Sequence, residues 1–177
     1  TFGHKPWLRQ TTTSALPISV AKIKSIPVSF HFDEYARGAN NLLLEAWLTD
    51  SAQTGEESIV REVGIHFFQN GWTGQAGKKI GSRRIDGIDY DVYFTPPWRS
   101  KRAEFSWEYV SFIRLTPFNA PEKVALDFAK FLSALEDFEL NSQHLNLSSL
   151  EFGTEIIRGY GNARISHLKI KVLDSND

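Results

Sequence analysis

Ile59-Val60-Arg61-Glu62-Val63-Gly64-Ile65-His66-Phe67-Phe68 is the stretch on which the reading of this chain turns. Val63, Ile65 and Phe67 recur at period two, so the segment is a strand with one apolar face. Alternation puts Glu62, Gly64, His66 and Phe68 on the opposite face. A carboxylate and an imidazole therefore share a face with a glycine, whose missing side chain opens the backbone to close approach. Residues 42–48 repeat the pattern, with Leu42, Leu44, Ala46 and Leu48 on one face and Leu43, Glu45 and Trp47 on the other. If the two strands are neighbours across the polar loop 49–58, Glu45 stands beside Glu62. Two carboxylates held that close do not both ionise cheaply, so one pKa is raised.

Working outward, Ile26, Val28, Phe30 and Phe32 alternate, so residues 18–32 hold one or two strands, and Gly38-Ala39-Asn40-Asn41 reads as a turn. Short β-rich runs follow at 85–94, 104–115, 145–154 and 164–172. In the last of these, Leu168, Ile170 and Val172 oppose Lys169 and Lys171. Residues 1–15 read as loop. Gly71, Gly74, Gly77 and Gly81 punctuate another loop, read as a hairpin tip. One segment departs from period two: Val124, Phe128, Phe131 and Leu135 form a helical stripe, with Pro121 and Glu122 suited to its first turn. The expected fold is all-β with one α-helix, packed in two layers, and residues 1–177 read as a single domain without linker or repeat.

Composition removes several classes. The 20 basic and 21 acidic side chains leave a net charge of −1, which argues against a sequence-blind grip on nucleic acid or on an anionic membrane. No apolar run approaches the roughly 18–20 residues of a membrane span. With no Cys, disulfides, thiolate metal sites and a cysteine nucleophile are excluded. The five His show no metal-ligand spacing, and neither a metal nor a cofactor is expected. The glycine-rich run 71–79 lacks the phosphate-loop pattern, since Trp72 stands where a glycine is required and Lys79 where Ser or Thr is. Arg99-Ser100-Lys101-Arg102 reads as a solvated loop. The chain also lacks Met, so residue 1 is not read as a native start, and an earlier signal peptide stays open.

A third acidic strand end is Phe152-Gly153-Thr154-Glu155, where Glu151, Gly153 and Glu155 alternate with Leu150, Phe152 and Thr154. Hydrolysis of a glycosidic bond needs two carboxyls flanking it, and Glu62 and Glu155 are candidates. By spacing alone each glutamate is more readily a solvated outer-face residue, and His66 an ordinary hydrogen-bonded histidine. Aromatics are 13% of the chain, with five Trp, which suits a sugar cleft as well as a large core; a flat, exposed pair would mark stacking.

Four motifs, in order, resemble glycoside hydrolase family 12, in particular its thermophilic bacterial and archaeal branch. They are Phe2-Gly3-His4-Lys5-Pro6-Trp7, Glu45-Ala46-Trp47-Leu48-Thr49, Glu62-Val63-Gly64-Ile65-His66 and Phe152-Gly153-Thr154-Glu155. The stretch 107–114 and the helix near 122–135 fit the same layout. The resemblance implies a two-sheet β-jelly-roll sandwich and a retaining endo-acting β-glucan hydrolase. Glu62 would be its nucleophile, Glu155 its acid/base and Glu45 the residue supporting the nucleophile. Trp7, Gly64, His66, Tyr90 and Trp107 are the expected substrate contacts. The family's Met stands here as Gly64 and its Trp as His66, which alters the cleft at the cut. Cellulose, mixed-linkage glucan and xyloglucan stay open as substrates, and His66 is expected to hydrogen-bond a carboxylate. The resemblance also implies secretion, common among family members, and strands ahead of the first motif, so a preceding segment or a second chain is expected to cover exposed sheet edges. A non-catalytic carbohydrate-binding sandwich and a purely structural one are the competing readings.

Overall fold

The computed structural model describes residues 1–7, 11–52, 55–71, 77–97, 106–116 and 121–175. Trp72, Gly74, Trp98 and the run 99–102 lie outside the described residues. Strands run in the order β1 (Phe2–Gly3), β2 (Ile18–Ser19), β3 (Ile23–Ser25), β4 (Pro27–Thr49), β5 (Ile59–Asn70), β6 (Lys78–Ile85), β7 (Ile88–Thr95), β8 (Glu108–Arg114) and β9 (Glu122–Asp127). The helix α1 (Phe128–Ala134) follows, then β10 (Asn146–Gly153), β11 (Ile156–Ile170) and β12 (Leu173–Asp174).

The organising element is β4. Its second half pairs with β5 on one side and β10 on the other, and its first half with β9 and β11. Hydrogen bonding thus runs unbroken through a sheet of order β1-β10-β4-β5-β8-β7-β6, with β9 and β11 branching from β4. The first half nevertheless folds over the second, because the Phe30 ring meets Phe67 at 5.4 Å and Phe152 at 4.4 Å. Two β layers result, joined through one strand, and the core lies between them. Leu42, Leu44, Ala46, Leu48, Val63, Ile65, Val110 and Phe112 all point into it.

The expected turn at 38–41 is instead continuous strand. Gly38 faces Gly159 across the ladder, at φ +107° and +111°. A Cβ on Gly38 would sit 2.2 Å from the Arg158 carbonyl oxygen, and one on Gly159 2.0 Å from that of Arg37. The glycine signal marks two strands in close approach where β4 passes between layers, not a reversal of the chain.

Four further expectations change. The glycines after β5 do not tip a hairpin with it: β6 lies at the sheet edge, apart from β5, contains Gly81, and forms its hairpin with β7. The two-residue turn of that hairpin is Asp86-Gly87, at φ +50° and +81°, a pairing typical of hairpin turns. The helical stripe is shorter than read: Val124 belongs to β9, and Glu122 accepts a hydrogen bond from Arg114 at 2.7 Å. The helix begins only after Asp127, whose side chain caps the Ala129 N–H at 3.1 Å. Phe128, Phe131 and Leu135 then bury as the stripe requires. Near the end of β11 a register shift between Ser166 and Lys169, with His167 at φ +56°, turns Leu168 outward while Ile170 stays against the core. Residues 2–3, read as loop, pair with Leu150 and Ser149.

Among the described residues β11 pairs through one edge only, with β4. It carries Ile156, Ile157, Tyr160, Ile165 and Leu168 exposed.

Candidate active site

The face of the larger layer turned away from the core is built in rows across β10, β4, β5 and β8. One row reads Ser149, Trp47, Glu62, Tyr109 and the next Glu151, Glu45, Gly64, Ser111. A third row holds Gly153, Leu43, His66 and Ile113. Period two on four adjacent strands therefore collects the acidic residues by ladder register alone. Phe68, expected on this face, packs against the core, because a register shift at Leu42/Leu43 resets β5 beyond His66.

Glu45 and Glu62 share a side-chain hydrogen bond, which needs a proton between them. Burial, followed by the charge of Glu62, raises Glu45 from its usual 4.5 to about 9. Burial raises Glu62 as well, but there the hydrogen bonds from Glu45 and Trp107 oppose it. Trp107 donates its indole N–H to Glu62 Oε2 at 2.8 Å. The pair thus carries one proton on Glu45, which donates it to an ionised Glu62.

Glu155 is positioned differently. β10 and β11 run consecutively along β4, and Glu155 sits in the two-residue break between them. Asn41 on β4 clasps that break: its amide donates to Glu155 Oε2 at 2.5 Å, its Oδ1 accepts from the Glu155 N–H at 2.8 Å, and its own N–H donates to the Glu155 carbonyl at 3.1 Å. Glu155 itself is exposed. Its charge nonetheless bears on Glu45, Glu62 and Tyr109, helping to raise the pKa of all three. A cavity lined by Asn40, Thr154, Ile156 and Tyr160 adjoins it.

Of the expected sugar contacts, Trp7 is 40% exposed and stands edge-on to Trp47 at 4.9 Å, which stands edge-on to Trp107 at 5.4 Å. The three indoles form a T-shaped chain leading from the surface to Glu62, with no flat pair among them. His66 is buried, and its partners are the Tyr109 hydroxyl at 2.7 Å and Gln69 at 3.3 Å, so the expected bond to a carboxylate is replaced by one to a phenol. Burial lowers the imidazole to about 4, so it is neutral at ordinary pH. Tyr90 is a correction: it is 1% exposed, in the core, edge-on to Phe131 at 5.2 Å, and faces away from the carboxylates.

Sequence reading passed over three residues of this site. Lys5 forms an ion pair with Glu151, the cross-strand partner of Glu45, and its ammonium lies 4.6 Å from the Trp7 ring centre. Asn41 was hidden inside an apparent turn. Tyr109 could have been found, because Tyr109, Ser111 and Ile113 alternate with Val110 and Phe112. Among the described residues, no group of three His, Cys, Asp or Glu could hold a metal ion. Nor is any described helix long and apolar enough to cross a membrane.

Comparison with known proteins agrees with this architecture. The chain superposes on the family 12 xyloglucanase from Bacillus licheniformis with a TM-score of 0.83 at 23% identity, covering 97% of this chain and 72% of that one. For endoglucanase cel12A from Rhodothermus marinus the TM-score is 0.83 at 20% identity, covering 98% and 72%. Endoglucanase S from Pectobacterium parmentieri is 23% identical over 162 residues, which is 92% of this chain and 60% of that protein. The jelly-roll fold follows from these superpositions, and the chain spans less than two thirds of the curated relative it matches. The model of glycosyl hydrolase family 12 matches residues 1–172, and the chain belongs to that family.

Proposed function

We propose that the protein is a retaining, endo-acting β-glucan hydrolase in which Glu62 is the nucleophile, Glu155 the acid/base and Glu45 the proton holder that keeps Glu62 ionised. The observation that carries this is the contrast between a buried Glu45–Glu62 pair sharing one proton and an exposed Glu155 clasped by Asn41. Family membership supports the hydrolase class, and the names of its relatives, endoglucanase and xyloglucanase, set the range of β-glucans.

In the first step the Glu62 carboxylate forms a bond to the anomeric carbon as the glycosidic C–O bond breaks, and Glu155 gives its proton to the departing oxygen. In the second, water attacks the same carbon, its proton goes to Glu155, and Glu62 leaves as carboxylate. Trp107 and Glu45 hold negative charge on Glu62 through hydrogen bonds, while Trp7 offers an aromatic surface to more distant sugars. The polymer is too large to enter a cell, so the site of action is extracellular. The exposed apolar edge of β11 calls for a covering strand, from a further segment of the protein or a second chain.

A panel of cellulose, mixed-linkage glucan and xyloglucan, with product analysis and NMR of the first anomer released, tests the proposal. Wild type is expected to release oligosaccharides with retained configuration. Glu62→Gln should lose on the order of 10³-fold or more in kcat while still binding oligosaccharide. Binding without hydrolysis by wild type would replace the enzyme with a carbohydrate-binding sandwich.

A further inference from the structure

Gly64 lies at the centre of β5, opposite Glu45 on one neighbouring strand and Ser111 on the other. A Cβ there would stand 2.7 Å from the Tyr109 hydroxyl, 3.3 Å from its Cε2 and 3.4 Å from its Cζ. The phenol ring therefore crosses β5 over the bare Gly64 backbone. Its root lies opposite Glu62 and its hydroxyl reaches His66 Nε2 at 2.7 Å, one row further on. Gln69 Nε2 lies 3.3 Å from His66 Nδ1 and donates to it. Nε2 then carries the ring proton and donates to the Tyr109 oxygen. The phenol's own hydrogen is left for another acceptor. Burial, and after it the charges of Glu62, Glu45 and Glu155, hold this hydroxyl protonated. Packing alone would be met by Phe at 109. Burying an imidazole behind the ring goes beyond packing, because it fixes where the hydroxyl hydrogen points.

We propose that Tyr109 is a sugar-contacting residue: its hydroxyl, held by His66 and admitted by Gly64, donates to a hydroxyl of the ring that Glu62 attacks. Gly64 and His66 are then positioning residues for that donor. This rests on the hydrolase reading above.

The test compares Tyr109→Phe, Gly64→Ala and the double variant, on the β-glucan that wild type cleaves best. Tyr109→Phe is expected to lose about 10- to 100-fold in kcat/KM, mainly in kcat, since such a contact strengthens in the transition state. Gly64→Ala should lose a similar factor by displacing the hydroxyl. The double variant should be no worse than Tyr109→Phe by more than about threefold, because most of the clash is with the missing oxygen. Folded variants whose melting points drop while kcat/KM stays within about twofold of wild type would overturn the proposal, leaving the cluster a packing device. Calorimetric titration with cellohexaose, in the Glu62→Gln background, separates this failure from failure of the hydrolase reading. If wild type hydrolyses nothing but binds cellohexaose, Tyr109→Phe must still weaken binding at least threefold. Equal affinity, or no binding by either protein, overturns the sugar contact as well.

Discussion

Glu45→Gln asks where the shared proton resides. In the folded protein Glu45 titrates at about 9, against its usual 4.5. Between those values the unfolded chain has released the proton and the folded chain still holds it. Stability then falls as pH rises, by about 1.36 kcal/mol per pH unit. From pH 5 to pH 9 that amounts to about 5 kcal/mol lost by wild type. The carboxamide of Gln is neutral, has nearly the same shape and donates an N–H to Glu62, so it reproduces the protonated acid without the titration. Other titrating groups act in both proteins and largely cancel in the difference. The two proteins should melt together near pH 5, and the variant should gain steadily above it. For a chain of this size 1 kcal/mol corresponds to roughly 2–4 °C, so the gap at pH 9 is roughly 10–20 °C in favour of the variant. Calorimetric or fluorescence melts at half-unit steps from pH 5 to 9 read it directly. A gap that stays flat within about 2 °C across the range refutes the assignment of the proton to Glu45. A gap opening in the opposite direction would mean that Glu45 is ionised and stabilised by the fold.

Trp107→Phe removes the indole donor 2.8 Å from Glu62. A hydrogen bond to a charged group is worth about 1.5–3 kcal/mol, so losing it raises Glu62 and moves the acid limb of kcat/KM to higher pH; an unmoved limb excludes Glu62 as the ionised nucleophile. Asn41→Ala cuts the two side-chain bonds that fix Glu155. Steady-state kinetics should show kcat about 10- to 100-fold lower, with KM within about threefold, since the acid/base loses its aim and not the polymer its groove. Phe131→Ala empties a fully buried site between the Tyr90, Phe112 and Phe128 rings and should cost about 3–5 kcal/mol, a melting point roughly 6–20 °C lower in thermal unfolding.

The strands on which the site depends were legible because each has one face in the core. Val63, Ile65 and Phe67, like Leu42, Leu44, Ala46 and Leu48, are fully or almost fully buried. Once those faces are assigned, Glu45 and Glu62 must lie on the other side of adjacent strands. What period two cannot express is a change of partner along one strand. β4 holds one ladder with β9 and β11 and another with β5 and β10, and the glycine and asparagines at the transition look locally like a turn. Tyr90 failed for a related reason. Tyrosine suits both a sugar cleft and a core, and the ring of Phe131, 41 residues on, decides between them. The helix was overextended because a strand leading into a helix lets Val124 fall on the helical period by chance.

The same topology explains how neighbouring carboxylates come to differ. A residue inside a ladder is hemmed by strands on both sides, so Glu45 and Glu62 lose water and must share a proton or separate. Glu155 escapes this because β10 ends and β11 begins on either side of it, leaving the side chain exposed and its direction fixed by Asn41. A retaining glycosidase needs one carboxylate that stays ionised and another that exchanges its proton with solvent in each cycle. Closing the break, so that β10 and β11 became one ladder strand, would bury the third carboxylate beside the other two. It would then have to share their proton instead of passing its own to and from water. On this reading the interruption at 154–155 is as necessary to the proposed chemistry as the glutamates themselves.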